Sequence, residues 1–265
     1  MPAGFAEHYD AVINWEKRLA RELPLLVELA RSAGQRVLVP ACGTGAHVVA
    51  LAREGLSVLG FDADEEMVAV TRQRIDREAA AISAARGEAK IRLLRMEDAG
   101  ELGPTQDVAY CLGNALPGIS GEGQLAAALK GVAGALRAGG LFFTQNLNYD
   151  LRWKEKAHWF PLLSGETAEE EVLLVKFADY EPQAISFHAM FLSRPKAGGK
   201  WQSKVRSSRQ IPLFRDRLAE LLTGAGFGKL RSWGDYAKTP FDLAKSSDLL
   251  VVAEKLDSRE EQINT

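Results

Sequence analysis

Two glycines and one aspartate give this sequence its clearest chemical signal. Gly43 and Gly45 follow an apolar run at 37–39, and Asp62 ends a second such run at 57–61. Glycine has no Cβ, so the chain can turn sharply there and let a ligand lie against bare backbone amides. A carboxylate at the end of the next strand can accept hydrogen bonds from both hydroxyls of a ribose. The spacing therefore predicts a nucleotide-binding βαβ unit.

Residues after the glycine turn narrow the type of nucleotide. A dinucleotide fingerprint has a third glycine three residues after the second, whereas this sequence has Val48. A triphosphate-binding loop continues with Lys-Ser or Lys-Thr, but Gly45 is followed by Ala46 and His47. The pattern predicts a ligand without a polyphosphate, and an adenosine with a short amino-acid tail fits it.

Further side chains are expected at the same edge of the sheet, because the carboxyl ends of parallel strands meet there. Glu97 or Asp98 can accept a hydrogen bond from an adenine amino group, and Ala63, Met67 and Met96 offer apolar contact to the ring. Each has a simpler structural alternative. The methionines are about as well explained by core packing, and Asp98 by a helix N-cap.

The motifs occur in one order that resembles the class I S-adenosylmethionine-dependent methyltransferases. They are the Cys-Gly-Thr-Gly turn from Cys42, Asp62, the Asp-Glu-Glu-Met helix start at 64–67, the acidic pair at 97–98, and "LRAGGLFF" from Leu136. The resemblance implies S-adenosyl-L-methionine as the cofactor and methyl transfer as the reaction.

Other residues resemble the glycine N-methyltransferase-like branch of that class. They are Asn114 in "LGNALPGI", the Asn-Tyr-Asp run at 148–150, and Tyr9-Asp10 with Trp15 and Arg18. The resemblance implies that the N-terminal segment covers the cofactor and that Arg18 binds its carboxylate. Residues predicted to bind the cofactor are Trp15, Arg18, Ala41, Gly43, Gly45, Asp62, Ala63, Met67, Glu97, Asp98 and Leu112. Those predicted to act in catalysis are Tyr9, Asn114, Asn148 and Tyr149.

Two positions depart from the branch. Val39 stands where the family usually has an acid that reaches toward the ammonium group of the cofactor, and Pro40 follows it, as in thiopurine and halide methyltransferases. Gly118 replaces a histidine that often follows the Asn114 motif. The cofactor tail is therefore expected to depend on Arg18 and backbone groups.

Three functions remain open from the sequence. The leading hypothesis is methyl transfer to the amine nitrogen of a small molecule, because the cofactor motifs occur together with Asn114 and Asn148-Tyr149. A neutral amine needs alignment but no strong base. The first alternative is a small-molecule O-methyltransferase, and the second is a protein that binds S-adenosylmethionine without catalysis. DNA or RNA base methylation ranks lower, because residues 112–117 are Leu-Gly-Asn-Ala-Leu-Pro rather than an Asn-Pro-Pro-aromatic or Asp-Pro-Pro-aromatic motif. The net charge of -2, from 33 basic and 35 acidic residues, agrees with this.

Composition sets the remaining expectations. The 265 residues are 46% hydrophobic, with no secretory signal and no apolar run of about 18 residues, so a cytoplasmic protein without membrane contact is predicted. Cys42 and Cys111 are expected near buried strand ends, without a disulfide or a metal site. The oligomeric state stays open, a homo-oligomer included.

The order of elements predicts a single α/β domain. Its fold class is a doubly wound, Rossmann-like seven-stranded sheet with helices on both faces and an antiparallel insertion of three strands after strand five. Two helices are expected within residues 8–33, the second beginning at Pro24. The predicted parts are an N-terminal helical cover (1–35), a cofactor-binding core (36–150), a lid (151–211), the end of the sheet (212–255) and a tail (256–265).

Overall fold

The computed structural model describes residues 4–119 and 121–257, so most of the predicted tail lies outside the described residues. These residues form a seven-stranded mixed sheet and a separate four-stranded antiparallel sheet. Side by side, the strands of the large sheet are β10 (Phe227–Trp233), β11 (Asp248–Lys255), β5 (Leu136–Leu147), β4 (Gln106–Cys111), β1 (Arg36–Pro40), β2 (Ser57–Asp62) and β3 (Glu88–Leu93). The small sheet is inserted in the chain between β5 and β10. The predicted fold class is confirmed.

The elements of the large sheet alternate along the chain. Its first half comprises β1 Arg36–Pro40, α3 Ala46–Ala52, β2 Ser57–Asp62, α4 Glu65–Ala84, β3 Glu88–Leu93, a 3₁₀ helix Met96–Leu102 and β4 Gln106–Cys111. A short 3₁₀ turn Leu116–Gly118, α5 Glu122–Ala135, β5 Leu136–Leu147, α7 Arg215–Gly224, β10 Phe227–Trp233 and β11 Asp248–Lys255 complete it. Strands β1 to β5 run parallel, whereas β11 is antiparallel to both β5 and β10.

Continuous apolar strands place a core on each face of this sheet. Leu38 of β1 packs into one core with α5 and α7, while Val37 and Val39 pack into the other with α2 (Trp15–Ala33) and α3. Successive residues of a strand point to opposite faces, so a strand covered on both sides must be apolar throughout. The strand ends are thereby held rigidly at one edge, where the glycine turn follows β1.

The N-terminal helices divide at a different residue from the predicted one. Helix α1 covers Phe5–Val12, and α2 starts at Trp15 and continues through Pro24. Asn14 sets the start of α2, because its side chain accepts a hydrogen bond from the Lys17 amide at 2.9 Å. The carbonyl group that Pro24 leaves without an amide belongs to Ala20, an exposed residue that water can reach.

The insertion contains one strand and one helix more than predicted. After α6 (Tyr149–Glu155) come β6 Leu163–Glu166, β7 Glu170–Tyr180, β8 Ile185–Pro195 and β9 Gln202–Gln210. The additional strand, β6, packs against α1 so closely that a Cβ at Gly165 would lie 1.8 Å from the carbonyl oxygen of Ala11. The N-terminal helix and the insertion sheet therefore lie in direct contact.

No helix among the described residues is long and apolar enough to cross a bilayer.

Candidate active site

Two adjoining cavities lie at the carboxyl ends of the parallel strands. The acid cavity, of about 220 Å³, is lined by residues that include Asp62 and Glu97. The cover cavity, of about 170 Å³, is lined by residues of the glycine turn and of helices α1 and α2. Ala41 and Ala115 line both, so the two cavities meet between the ends of β1 and β4.

Backbone amides fix the Asp62 carboxylate at the wall of the acid cavity. One oxygen accepts from the Gly43 amide at 2.8 Å, and the other from the Asp64 amide at 3.0 Å. Burial raises the pKa of Asp62, and these hydrogen bonds oppose that shift. Its neighbour Ala63 lines the same cavity. The carboxylate is thus oriented before any ligand arrives.

The glycine turn needs both of its glycines. Gly43 and Gly45 have φ angles of 57° and 77°, in the left-handed region that favours glycine. A Cβ on Gly45 would lie 2.5 Å from Cγ2 of Thr71, whose hydroxyl donates to the Gly43 carbonyl at 2.8 Å. At Gly43 a Cβ would meet no atom within 4 Å, so the turn presents bare backbone to the cover cavity.

The acidic pair after β3 separates into two environments. Glu97 lines the acid cavity and accepts from Arg95 at 2.5 and 3.0 Å. Burial acts to raise the pKa of Glu97, but the bonds from Arg95 hold it below the usual value. Asp98 is not among the lining residues. Of the predicted apolar contacts, Met96 lines the acid cavity, whereas Met67 lines the cover cavity.

The predicted cover residues Tyr9, Trp15 and Arg18 all line the cover cavity, as does Leu112. The indole N–H of Trp15 donates to Asp10 at 2.8 Å, and the Arg18 guanidinium carbon lies 5.2 Å from the centre of the indole ring. That distance permits a cation–π contact. The N-terminal helices therefore wall the cavity on the side opposite the strands.

Asp10 connects the cover to the glycine turn, a role that the sequence pattern did not indicate. Besides Trp15, it accepts from the Thr44 hydroxyl at 2.6 Å and forms an ion pair with Arg74 of α4. One carboxylate therefore bonds to three separate segments. The sequence signal was only its place beside Tyr9.

A second missed carboxylate, Glu22, lies fully buried behind the cover cavity. It accepts from His47 Nε2 at 2.7 Å, Arg21 at 2.9 Å and Arg18 Nε at 3.1 Å. Burial alone would raise the pKa of Glu22, but these partners lower it to about 2. Burial lowers the pKa of His47, which lines the cavity. A charged residue on the apolar face of α2, three residues before Leu25, was the available signal.

Two predicted catalytic residues meet in a hydrogen-bonded cluster. Asn114 donates to the Tyr149 hydroxyl at 2.9 Å and to Gln210 Oε1 at 3.1 Å, and Tyr149 donates to the same oxygen at 2.9 Å. Asn114 also accepts from the Leu147 amide at 3.0 Å. This cluster ties β4, β5, α6 and β9 together. Neither Asn114 nor Tyr149 lines the two cavities, although Gly113 and Ala115 beside Asn114 do.

The structure gives the Asn148 side chain, which was predicted to contact the acceptor, a structural role. Its side chain is buried, caps α6 through the Leu151 amide at 3.2 Å, and donates to the carbonyl groups of Leu243 and Ser246 at 3.1 and 2.8 Å. Both ends of the amide are therefore occupied. Asparagine is favoured at helix N-caps and in turns, so a local structural role explains this residue type without an acceptor contact.

Replacing Asn148 by alanine is expected to lower the free energy of unfolding by about 2 to 4 kcal/mol, because a cap and buried carbonyl partners are lost together. Urea denaturation measures the change. Asn14→Ala is the matched control, since Asn14 caps α2 but is exposed, and a loss of about 1 kcal/mol is expected there. Equal losses in the two variants would contradict the role of the buried carbonyl bonds.

Comparisons with known proteins give one consistent kind of relative. A family model described as a methyltransferase domain matches residues 37–140. The glycine/sarcosine N-methyltransferase of Aphanothece halophytica is 23% identical over 244 residues, covering 89% of this chain and 83% of that protein. The glycine N-methyltransferase of Homo sapiens is 36% identical over 149 residues, covering 50% of this chain and 48% of that protein.

The fold has the same kind of neighbours. The crystal structure of an S-adenosylmethionine-dependent methyltransferase from Clostridium acetobutylicum superposes with a TM-score of 0.72 at 14% identity, covering 92% of this chain and 93% of that one. At that identity the similarity is one of fold, and it includes the insertion because nearly the whole of each chain is covered.

Proposed function

We infer that this chain is a class I S-adenosylmethionine-dependent methyltransferase similar to the glycine N-methyltransferases, and we propose that it methylates the amine nitrogen of a small molecule. The bound cofactor supplies a methyl group on a positively charged sulfur. The residues around the two cavities must then hold that cofactor, exclude water and align the amine.

The side chains present suit the cofactor. We infer that Asp62 accepts hydrogen bonds from the ribose hydroxyls and that Glu97 accepts one from the adenine amino group, with Phe61, Ala63 and Ile119 as the apolar wall of the acid cavity. The methionine part then belongs in the cover cavity, beside Gly43. This division is supported by the contact between the two cavities at Ala41 and Ala115.

The observation that carries the proposal is the chemistry of the cover cavity lining. Among the described residues that line it there is no carboxylate, and burial lowers the pKa of its one imidazole, His47, which weakens that ring as a base. Burial raises the pKa of the Cys42 thiol to about 12, so that group stays protonated. A hydroxyl acceptor usually needs a base within hydrogen-bond reach, whereas a neutral amine attacks directly and loses its proton afterwards. The lining favours an amine.

Arg18 lines the cover cavity, and two further cations near Arg18 favour an amine that carries an anionic group. Burial lowers the pKa of Lys176 on β7, and the charges of Arg152 and Arg18 lower it further, which places three cations near one another. Lys176 Nζ and Arg152 Cζ lie 5.5 and 4.4 Å from the ring centre of Phe160. In the described part of the chain neither forms an ion pair with a carboxylate. A carboxylate on the acceptor can form the ion pair with these cations, and the amino acids named for the relatives carry such a carboxylate.

The experiment compares glycine and sarcosine with ethanolamine, an amine without the carboxylate, using mass spectrometry to detect the gain of one methyl group. Amines with a carboxylate are expected to be the better acceptors. Lys176→Met is expected to lower kcat/KM for them by about tenfold to a hundredfold, mainly through KM, because a hydrogen bond to a charged group is lost.

The matched control is Lys204→Met, a change on the exposed strand β9, which is expected to leave kcat/KM within twofold. Methyl transfer to phenols or carboxylic acids but to none of the amines would overturn the proposal in favour of O-methylation. Equal turnover of glycine and ethanolamine would support amine methylation but contradict the preference for an acceptor with an anionic group.

A further inference from the structure

Arg18 and His47 are anchored by the two oxygens of one buried carboxylate. Glu22 Oε1 accepts from Arg18 Nε at 3.1 Å, and Glu22 Oε2 accepts from His47 Nε2 at 2.7 Å. Glu22 is 1% exposed and His47 5%. Arg18 and His47 line the same cavity, so Glu22 fixes the orientation of two cavity side chains from behind.

Each anchored side chain leaves its other polar atoms uncommitted. Because His47 Nε2 donates to Glu22, the neutral ring carries a lone pair on Nδ1, and this atom makes no hydrogen bond with any described residue. Burial lowers the pKa of His47 and so favours the neutral ring. Of the guanidinium nitrogens of Arg18, only Nε is bonded within the described part of the chain. The cavity thus offers one fork of donors and one acceptor.

The amino-acid tail of the cofactor is a zwitterion that needs both hydrogen-bond donors and a hydrogen-bond acceptor. Its carboxylate requires donors, and its ammonium group requires an acceptor. Val39 lines the cover cavity where an acidic residue is usual, and no described lining residue of this cavity is a carboxylate. We propose that His47 Nδ1 accepts a hydrogen bond from the ammonium group of the cofactor, with Glu22 as the positioning residue for both His47 and Arg18.

Glu22 also affects the quality of that acceptor. A carboxylate that accepts from one ring nitrogen fixes the tautomer and makes the other nitrogen more basic. The negative charge stays behind the ring, where Arg18 and Arg21 balance it. The ammonium group therefore meets a neutral, oriented nitrogen rather than an anion. The arrangement takes the place of the carboxylate that Val39 lacks.

The test is calorimetric binding of three ligands that differ only in the tail, without any acceptor present. They are S-adenosylhomocysteine, its analogue without the α-amino group, and 5′-methylthioadenosine, which has no amino-acid tail. These measurements concern cofactor binding and involve no acceptor. A negative result would therefore contradict the role of His47 without contradicting the proposed amine methylation.

Two substitutions of His47 separate its two nitrogens. In His47→Gln the amide N–H₂ can still donate to Glu22, but nothing accepts at the position of Nδ1. In His47→Asn the amide oxygen can take the place of Nδ1, while the bond to Glu22 is lost. We expect H47Q to weaken S-adenosylhomocysteine binding at least tenfold, H47N to retain part of the affinity, and 5′-methylthioadenosine to bind both variants within twofold of wild type.

The ligand without the amino group is the deciding comparison. It is expected to bind H47Q as it binds wild type, and Arg18→Gln is expected to weaken it together with S-adenosylhomocysteine. Introducing Val39→Asp into H47Q is expected to restore at least part of the lost affinity. Equal losses for all three ligands in H47Q, or no loss for S-adenosylhomocysteine, would overturn the assignment of His47 to the ammonium group.

Discussion

Replacing Asp62 by asparagine is expected to weaken binding of S-adenosylhomocysteine by about a hundredfold. Hydrogen bonds to a charged group contribute about 1.5 to 3 kcal/mol each, and the carboxylate is inferred to accept two from the ribose. A net loss of about 3 kcal/mol corresponds to that factor. Asparagine also brings an N–H₂ group toward the amide of Gly43 or Asp64, both of which are donors to the present carboxylate. The turn itself is therefore disturbed.

Isothermal calorimetry with purified protein measures this change. The control is Asp98→Asn, because Asp98 belongs to the same acidic pair as Glu97 but does not line the acid cavity. Its affinity is expected to stay within threefold of wild type. A hundredfold loss in the Asp98 variant with little change in the Asp62 variant would contradict the assignment of Asp62 to the ribose and of Glu97 to the adenine.

The parts of the site that depend on local backbone chemistry were predictable. The positive φ angles of Gly43 and Gly45 favour glycine, and at Gly45 a Cβ would also collide with Thr71. Such a preference is visible in the residue type. The strand that ends at Asp62 was visible from its apolar run. The fold class followed from the same patterns, since alternating strands and helices predict a doubly wound sheet.

The polar groups behind the cavity could not be predicted in the same way. Glu22 and His47 are 25 residues apart, and Asp10 and Arg74 are 64 apart, so their pairing depends on how the helices pack. Asn148 shows the converse difficulty. Its residue type suits both an acceptor contact and a helix cap, and only the positions of Leu243 and Ser246 distinguish the two. Strand β6 was missed because four residues containing Ser and Gly carry little strand signal.

Gly131 determines how closely α5 approaches the wall of the acid cavity. A Cβ at this position would lie 2.5 and 2.7 Å from the carbonyl oxygens of Met96 and Glu97. These are backbone atoms and cannot rotate away, so the helix or the 3₁₀ segment Met96–Leu102 must move. Gly131→Ala is expected to lower the free energy of unfolding by about 3 kcal/mol, at the upper end of the usual range for overpacking. Urea denaturation measures it.

The same substitution at Gly123 provides the control within the same helix. A Cβ there would meet no atom within 4 Å, so Gly123→Ala is expected to raise the free energy of unfolding by about 0.5 to 1 kcal/mol through lower entropy of the unfolded chain. Because Met96 and Glu97 line the acid cavity, Gly131→Ala should also weaken S-adenosylhomocysteine binding under conditions where the protein remains folded, whereas Gly123→Ala should not. Wild-type stability in the Gly131 variant would contradict the close approach of α5, and lost stability with unchanged affinity would separate this wall from cofactor binding.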